Sequence, residues 1–92
     1  MTWQHDPAQL LDFPCVYEFK AFGPADSDET FLTAVQTAVS TVVPVPRDAL
    51  RSRASRAGRH QCVTVLVRLR DAAQLQAIYA ALRQVDGLTY LL

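Results

Sequence analysis

Two stretches of helical periodicity, each caught between stretches that alternate every second residue, constrain this chain more than any single residue does. Read in order they give strand, helix, strand, strand, helix, strand. A βαββαβ chain folds as α+β, in a ferredoxin-like split-βαβ sandwich. That architecture is a four-stranded antiparallel sheet in the order 4-1-3-2 with two helices on one face. At 92 residues the chain holds one modest core, burying roughly 60–65% of the surface its unfolded form exposes.

The first strand is predicted over residues 13–22, with Cys15, Tyr17, Phe19 and Ala21 toward the helices and Val16, Glu18, Lys20 and Phe22 on the other side. Gly23-Pro24 reads as its end. Asp26-x-x-Glu29, with Ser27 and Asp28 beside it, supplies capping oxygens and acidic charge for a helix over residues 28–42. Phe31, Leu32, Val35, Ala38, Val39 and Val42 form its apolar stripe, and Pro44 and Pro46 bar its continuation. A second strand over residues 49–55, filled with arginine, serine and alanine, suits a sheet edge.

Ala57-Gly58 makes a hairpin into a third strand over residues 60–69. There Val63, Val65, Val67 and Leu69 face the core, and His60, Cys62, Thr64, Leu66 and Arg68 face away. Asp71-x-x-Gln74 is a second capping box, and Leu75, Ile78, Tyr79, Leu82 and Val85 recur at helical spacing. Gly87 is the left-handed C-cap, and residues 88–92 close the sheet. Residues 1–12 are read as a lead-in, with Asp6 capping a single turn that starts at Pro7, and residues 13–92 as the single domain.

Nine basic and nine acidic side chains cancel, but unevenly along the chain. Asp6, Asp12, Glu18, Asp26, Asp28 and Glu29 precede residue 30 against Lys20 alone, whereas Arg47, Arg51, Arg53, Arg56 and Arg59 face only Asp48. Apolar runs fall short of the ~20 residues of a membrane span, and no basic-then-apolar leader opens the chain. A soluble cytoplasmic protein is expected. Cys15 and Cys62 are too few for a disulfide framework and point to opposite faces, so reduced thiols are expected. His60-x-Cys62 offers two ligands where zinc needs three or four, so neither metal nor cofactor is expected. No nucleophile elbow, phosphate loop or zinc-protease motif occurs, and the chain is not expected to be an enzyme.

Phe13-Pro14-Cys15, Lys20 and Gly23, then Ser55-x-x-Gly58 leading into a Val-Thr-Val strand, and finally Ile78-Tyr79-x-x-Leu82 resemble the YbeD-like family of small bacterial proteins over about residues 11–92. The resemblance implies a ferredoxin-like fold similar to the ACT domain, a regulatory module that often binds amino acids at dimer interfaces. It implies no reaction, because the family has no assigned biochemical function. His60 stands where the family usually carries tyrosine, and strand two is unusually rich in arginine. By the same resemblance Gly23 occupies the position of the glycine-containing ligand loop of ACT domains, although a glycine there also ends a strand.

The arginines Arg51, Arg53, Arg56 and Arg59 present planar forks that grip phosphate or carboxylate in pairs. The plain alternative is a solvated edge with charges for solubility. On the sheet face opposite the helices Val16, Phe22 and Leu66, with Cys62 among them, would form an apolar contact patch flanked by Glu18, Lys20, Thr64 and Arg68, unless Trp3 and Leu10 roof it. RNA-binding domains of this topology set aromatic rings on the central strands; strand three offers none, with only Phe22 and either Tyr90 or Tyr17 as aromatics nearby, so nucleic acid is not expected. The function read from these features is a non-catalytic interaction or regulatory module, associating with a protein partner or a second copy through this face and the arginine hairpin. Two alternatives stay open. One is an ACT-like sensor binding a small anionic metabolite or amino acid in a dimer, and the other is a nucleic-acid-associated protein using the basic hairpin.

Overall fold

The computed structural model describes residues 11–26 and 28–92. It is an α+β domain whose four antiparallel strands lie in the order β2-β3-β1-β4, with two helices. The strands are β1 (Cys15–Pro24), β2 (Leu50–Ala54), β3 (His60–Leu69) and β4 (Tyr90–Leu91), and the helices are α1 (Thr30–Ser40) and α2 (Ala72–Leu82). The expected topology and strand order are therefore present. The expectations for Trp3, Asp6, Pro7, Leu10 and Ser27 fall outside the described residues.

The alternation in β1 and β3 makes the core. Phe19, Ala21, Val63, Val65, Val67 and Leu69 join Phe31, Val35 and Val39 of α1 and Leu75, Ile78 and Leu82 of α2 in one buried cluster. Each fully buried aliphatic side chain contributes about 1.5–3 kcal/mol. Both helices therefore cover the same face of the sheet, and the opposite face carries Val16, Leu66 and Tyr90 exposed. Two rings bind β1 to α2 at the rim of the core. Tyr17 and Tyr79 share a hydroxyl hydrogen bond of 2.7 Å and stand edge to face around Phe19. Burial and that bond push the Tyr79 hydroxyl well above its usual range, so it stays neutral.

Several boundaries differ from the sequence reading. β1 does not stop short of Gly23 and Pro24; both pair, with Gln61 and His60, because β3 runs alongside to its first residue. Pro24 sits at the strand terminus, where a missing N–H is tolerated, and its carbonyl accepts a 2.8 Å bond from Gln61 Nε2. Helix α1 begins later than residue 28. Glu29 adopts a left-handed conformation (φ 56°) with no capping bond from its side chain, while Asp26 Oδ1 accepts from the Thr30 amide at 2.9 Å. It also ends before Val42, where Thr41 Oγ1 donates to the Ala38 carbonyl at 2.6 Å and the turn tightens. One 3-10 turn, Arg47–Ala49, leads into β2. Helix α2 stops at Leu82, so Val85 lies in the turns beyond it, and Gly87 (φ 88°) reverses the chain toward β4.

The second capping box forms one residue out of step. Asp71 Oδ1 accepts from the Gln74 amide at 3.0 Å, and Gln74 Oε1 accepts from the amide of Arg70 at 2.7 Å. The Gln74 amide, aided by Arg70 beside it, holds the Asp71 carboxyl below its ordinary value of 3.8. A carboxylate so lowered stabilises the fold above its unfolded value, and that stabilisation disappears as pH falls through the folded one. Asp71→Ala should therefore lower the melting temperature by a few degrees at pH 7, with the gap to wild type closing in acid. A gap that stays constant from pH 7 to pH 2 in thermal melts would show that the charge contributes nothing.

Candidate functional site

The open face is ordered into rows by strand register. Pairing of Phe22 with Tyr90, Phe22 with Cys62 and Arg53 with Cys62 sets Tyr90, Phe22, Cys62 and Arg53 side by side across all four strands. The next row holds Lys20, Thr64 and Arg51, with Leu92 bonded to Lys20 through both backbone groups. Beyond it lie Glu18 beside Leu66, then Val16 beside Arg68. Rows are separated by about 6.6 Å along the strands, two residues of extended chain.

This register places every sequence-selected residue, and it divides them. Val16 (61% exposed) and Leu66 (46%) lie toward one end. Phe22 lies at the other, half-buried against Tyr90 with ring centroids 5.8 Å apart. Between them runs a polar band, in which Lys20 Nζ bonds Thr64 Oγ1 at 3.3 Å and reaches Glu18 at 3.5 Å. The face is thus not one continuous apolar patch. Its hairpin end carries rings and cations, and its far end carries isolated aliphatics with Arg68.

Arg51 and Arg53 project from β2 on this same face, and Arg56 and Arg59 stand exposed on the hairpin beyond. The hairpin is held by Ser55 and His60, whose backbones bond at 2.8 Å, with Ser55 Oγ accepting from the His60 amide and Gly58 turning at φ 76°. Among the described residues none of these four arginines, nor Arg68, has an ion pair or side-chain hydrogen bond. Arg47 separates from them. It pairs with Glu29 and reaches Thr33 and Gln36 of α1, tying the loop before β2 to the helix. A hollow of about 230 Å³ opens between Phe22, Arg53, His60 and Cys62, and a shallow trough of about 420 Å³ runs over Glu18, Lys20, Arg51, Arg53 and Thr64.

The acids take different places. Asp26 and Asp86 rim a 470 Å³ groove between the helices, floored by Pro24, Phe31 and Val85. Glu18 sits in the polar band beside Lys20, and Asp48 lies on the turn before β2, away from the hairpin. The zero net charge is therefore a sum over separated regions. Gly23 lies inside β1, where a Cβ would come within 2.4 Å of the Phe31 ring. Cys15 stands opposite Leu69 and Cys62 opposite Phe22, at far ends of one ladder, and both thiols are free. Among the described residues no three His, Cys, Asp or Glu side chains gather as metal ligands, and no helix is long and apolar enough to cross a membrane.

Sequence reasoning missed Tyr90 as the neighbour of Phe22. It also missed Gln61, a core-facing polar residue only 6% exposed, whose amide bonds both Pro24 and Ser52. Its core parity in β3, with Ser52 on the same face of β2 one pair away, was the available signal.

A family model described as Protein of unknown function (DUF493) matches residues 8–92. The chain is also similar to curated proteins named UPF0250 protein. The one from Shewanella loihica is 34% identical over 80 residues, covering 86% of each chain. The one from Neisseria gonorrhoeae is 32% identical over 83 residues, covering 89% of each. No solved structure matches significantly.

Proposed function

From the premise that this chain belongs to the DUF493 family of unknown function, the YbeD-like bacterial proteins, we propose that it is a non-catalytic interaction module. It associates with an anionic macromolecular partner through the open sheet face and the β2–β3 hairpin. The observation that carries this reading is the set of four arginines, Arg51, Arg53, Arg56 and Arg59, which among the described residues have no ion pair and stand beside a sheet face that no described element covers. A surface arginine kept only for solubility gains by pairing with a nearby carboxylate, whereas a binding arginine must remain available. Phe22, Leu66 and Val16 add apolar contact and Arg68 a further cation. A cytoplasmic setting suits two thiols that the ladder holds apart.

The test replaces Arg51, Arg53, Arg56 and Arg59 together with Gln and compares capture from the native lysate. These side chains are all exposed, so circular dichroism should report an unchanged fold. Capture of the wild-type partner should fall at least tenfold, since each lost charge-assisted contact costs about 1.5–3 kcal/mol. Equal capture by the folded variant would leave the arginines with solubility as their only role.

A further inference from the structure

We infer that the hairpin half of the open face binds a short stretch of single-stranded nucleic acid. This rests on the surface reading above and gives its partner a chemistry. Three features of the face support it. The first is a pair of rings on neighbouring strands: Tyr90, 60% exposed, lies against Phe22 at the end of the sheet from which the hairpin projects. Bases stack on such rings whatever their sequence, because every base has a π-face. The second is the cation set. Arg53 ends the row that begins with Tyr90, and Lys20 and Arg51 occupy the row beside it. Arg56 and Arg59 continue outward from the same edge.

The third is where the acids lie. Glu18 lies two rows from Tyr90, paired with Lys20 at 3.5 Å, Asp48 lies beyond it, and Asp26 and Asp86 line the groove between the helices. A polyanion lying over the Tyr90–Arg53 row thus meets cations and rings without crossing a carboxylate, despite the balanced composition. Rings are absent from β3, where this topology would usually carry them, and are supplied by β1 and β4 instead.

An extended strand fits this face better than a duplex. Arg51 and Arg53 flank Ser52 on one strand, so both side chains leave the same face from points about 6.6 Å apart along a single backbone path. A duplex hides its base faces from Tyr90. An acidic peptide would use the arginines and leave the rings without a role. The trough over Lys20, Arg51, Arg53 and Thr64 is open and shallow, as a sequence-tolerant backbone site would be, and its one carboxylate, Glu18, is paired with Lys20.

The experiment is fluorescence anisotropy on the full chain with labelled oligo-U and oligo-dT twelve-mers, a duplex of equal length, and labelled polyglutamate, across a salt series. The single strands should bind more tightly than duplex or polyglutamate, with affinity falling as salt rises. Tyr90→Ala should weaken binding about tenfold at every salt concentration with the salt slope unchanged, and Tyr90→Phe should restore it. Arg51→Gln with Arg53→Gln should lower the slope by about 1.4, the loss of two phosphate contacts. No binding of either twelve-mer at roughly 50 mM salt, tighter binding of polyglutamate, or indifference to Tyr90→Ala overturns the inference. Partner capture that stays arginine-dependent while the oligonucleotides fail sinks this inference alone. Capture that ignores the arginines sinks the surface reading beneath it.

Discussion

Val65→Asp should leave no cooperative thermal transition at pH 7. Val65 is fully buried at the centre of the sheet, between Phe19 of β1 and Leu50 of β2 and within the cluster that both helices close. A carboxylate there has no cation within the core and no route to water. Burying it unpaired costs several kcal/mol, comparable with the 5–15 kcal/mol that holds a typical domain together, and roughly 1.5–3 kcal/mol of apolar burial is lost as well. Leu66→Asp, one residue along and on the open face, is the matched control and should melt within a few degrees of wild type. A cooperative melt for Val65→Asp close to that of the control would mean that β3 does not present this face to the helices.

Gly23→Ala should cost about 1–3 kcal/mol, the range for overpacking a tight interior contact. The added methyl would fall 2.4 Å from two carbons of the Phe31 ring, and an aromatic ring anchored in the core cannot swing aside as a flexible chain end would. Each kcal/mol lowers the melting temperature of a domain this size by about 4–8 °C. The ring as the cause is tested by a cycle with Phe31→Leu, whose branched side chain leaves room for the methyl. Gly23→Ala should cost markedly less in that background than alone. Identical costs in both backgrounds would show that some constraint other than the ring requires glycine.

The sheet was readable where many side chains repeat one instruction. Four apolar residues at alternate positions from Val63 to Leu69 allow one orientation for β3, because a one-residue slip would turn all of them to water. The Leu75–Ile78–Leu82 spacing fixed α2 in the same way. Boundaries were less legible because they depend on one contact each. Gly23-Pro24 looks like a break from composition, yet the Gln61 side chain and the facing β3 residues keep it in the ladder. Glu29 was read as an acid for the first turn, but it adopts a left-handed backbone and pairs with Arg47, eighteen residues later in the chain. That pair also removes Arg47 from the basic cluster, and no linear pattern announces it.

The surface was legible in membership and illegible in arrangement. Val16, Phe22, Leu66 and Arg68 share a face, as alternation requires. Alternation is silent on which of them touch, and a two-residue strand is too short to show parity at all. The Phe22–Tyr90 pair therefore emerges only from the register of β1 with β4.

That fourth strand is the sheet's least secured piece. Beyond its paired residues Leu91 and Tyr90 it is fastened by backbone bonds from Thr89 to Phe22 and between Leu92 and Lys20, and Leu91, half-buried, is its one side chain packed against the core. Its amide protons should exchange with solvent long before those of Val63 to Val67, because peeling away residues 89–92 gives up one half-buried leucine and none of the fully buried residues. Any molecule that leans on Tyr90 engages only the zipped fraction of the population, so its apparent affinity is diluted in proportion. Whatever clamps those last residues would tighten the grip from a distance, without touching what is held.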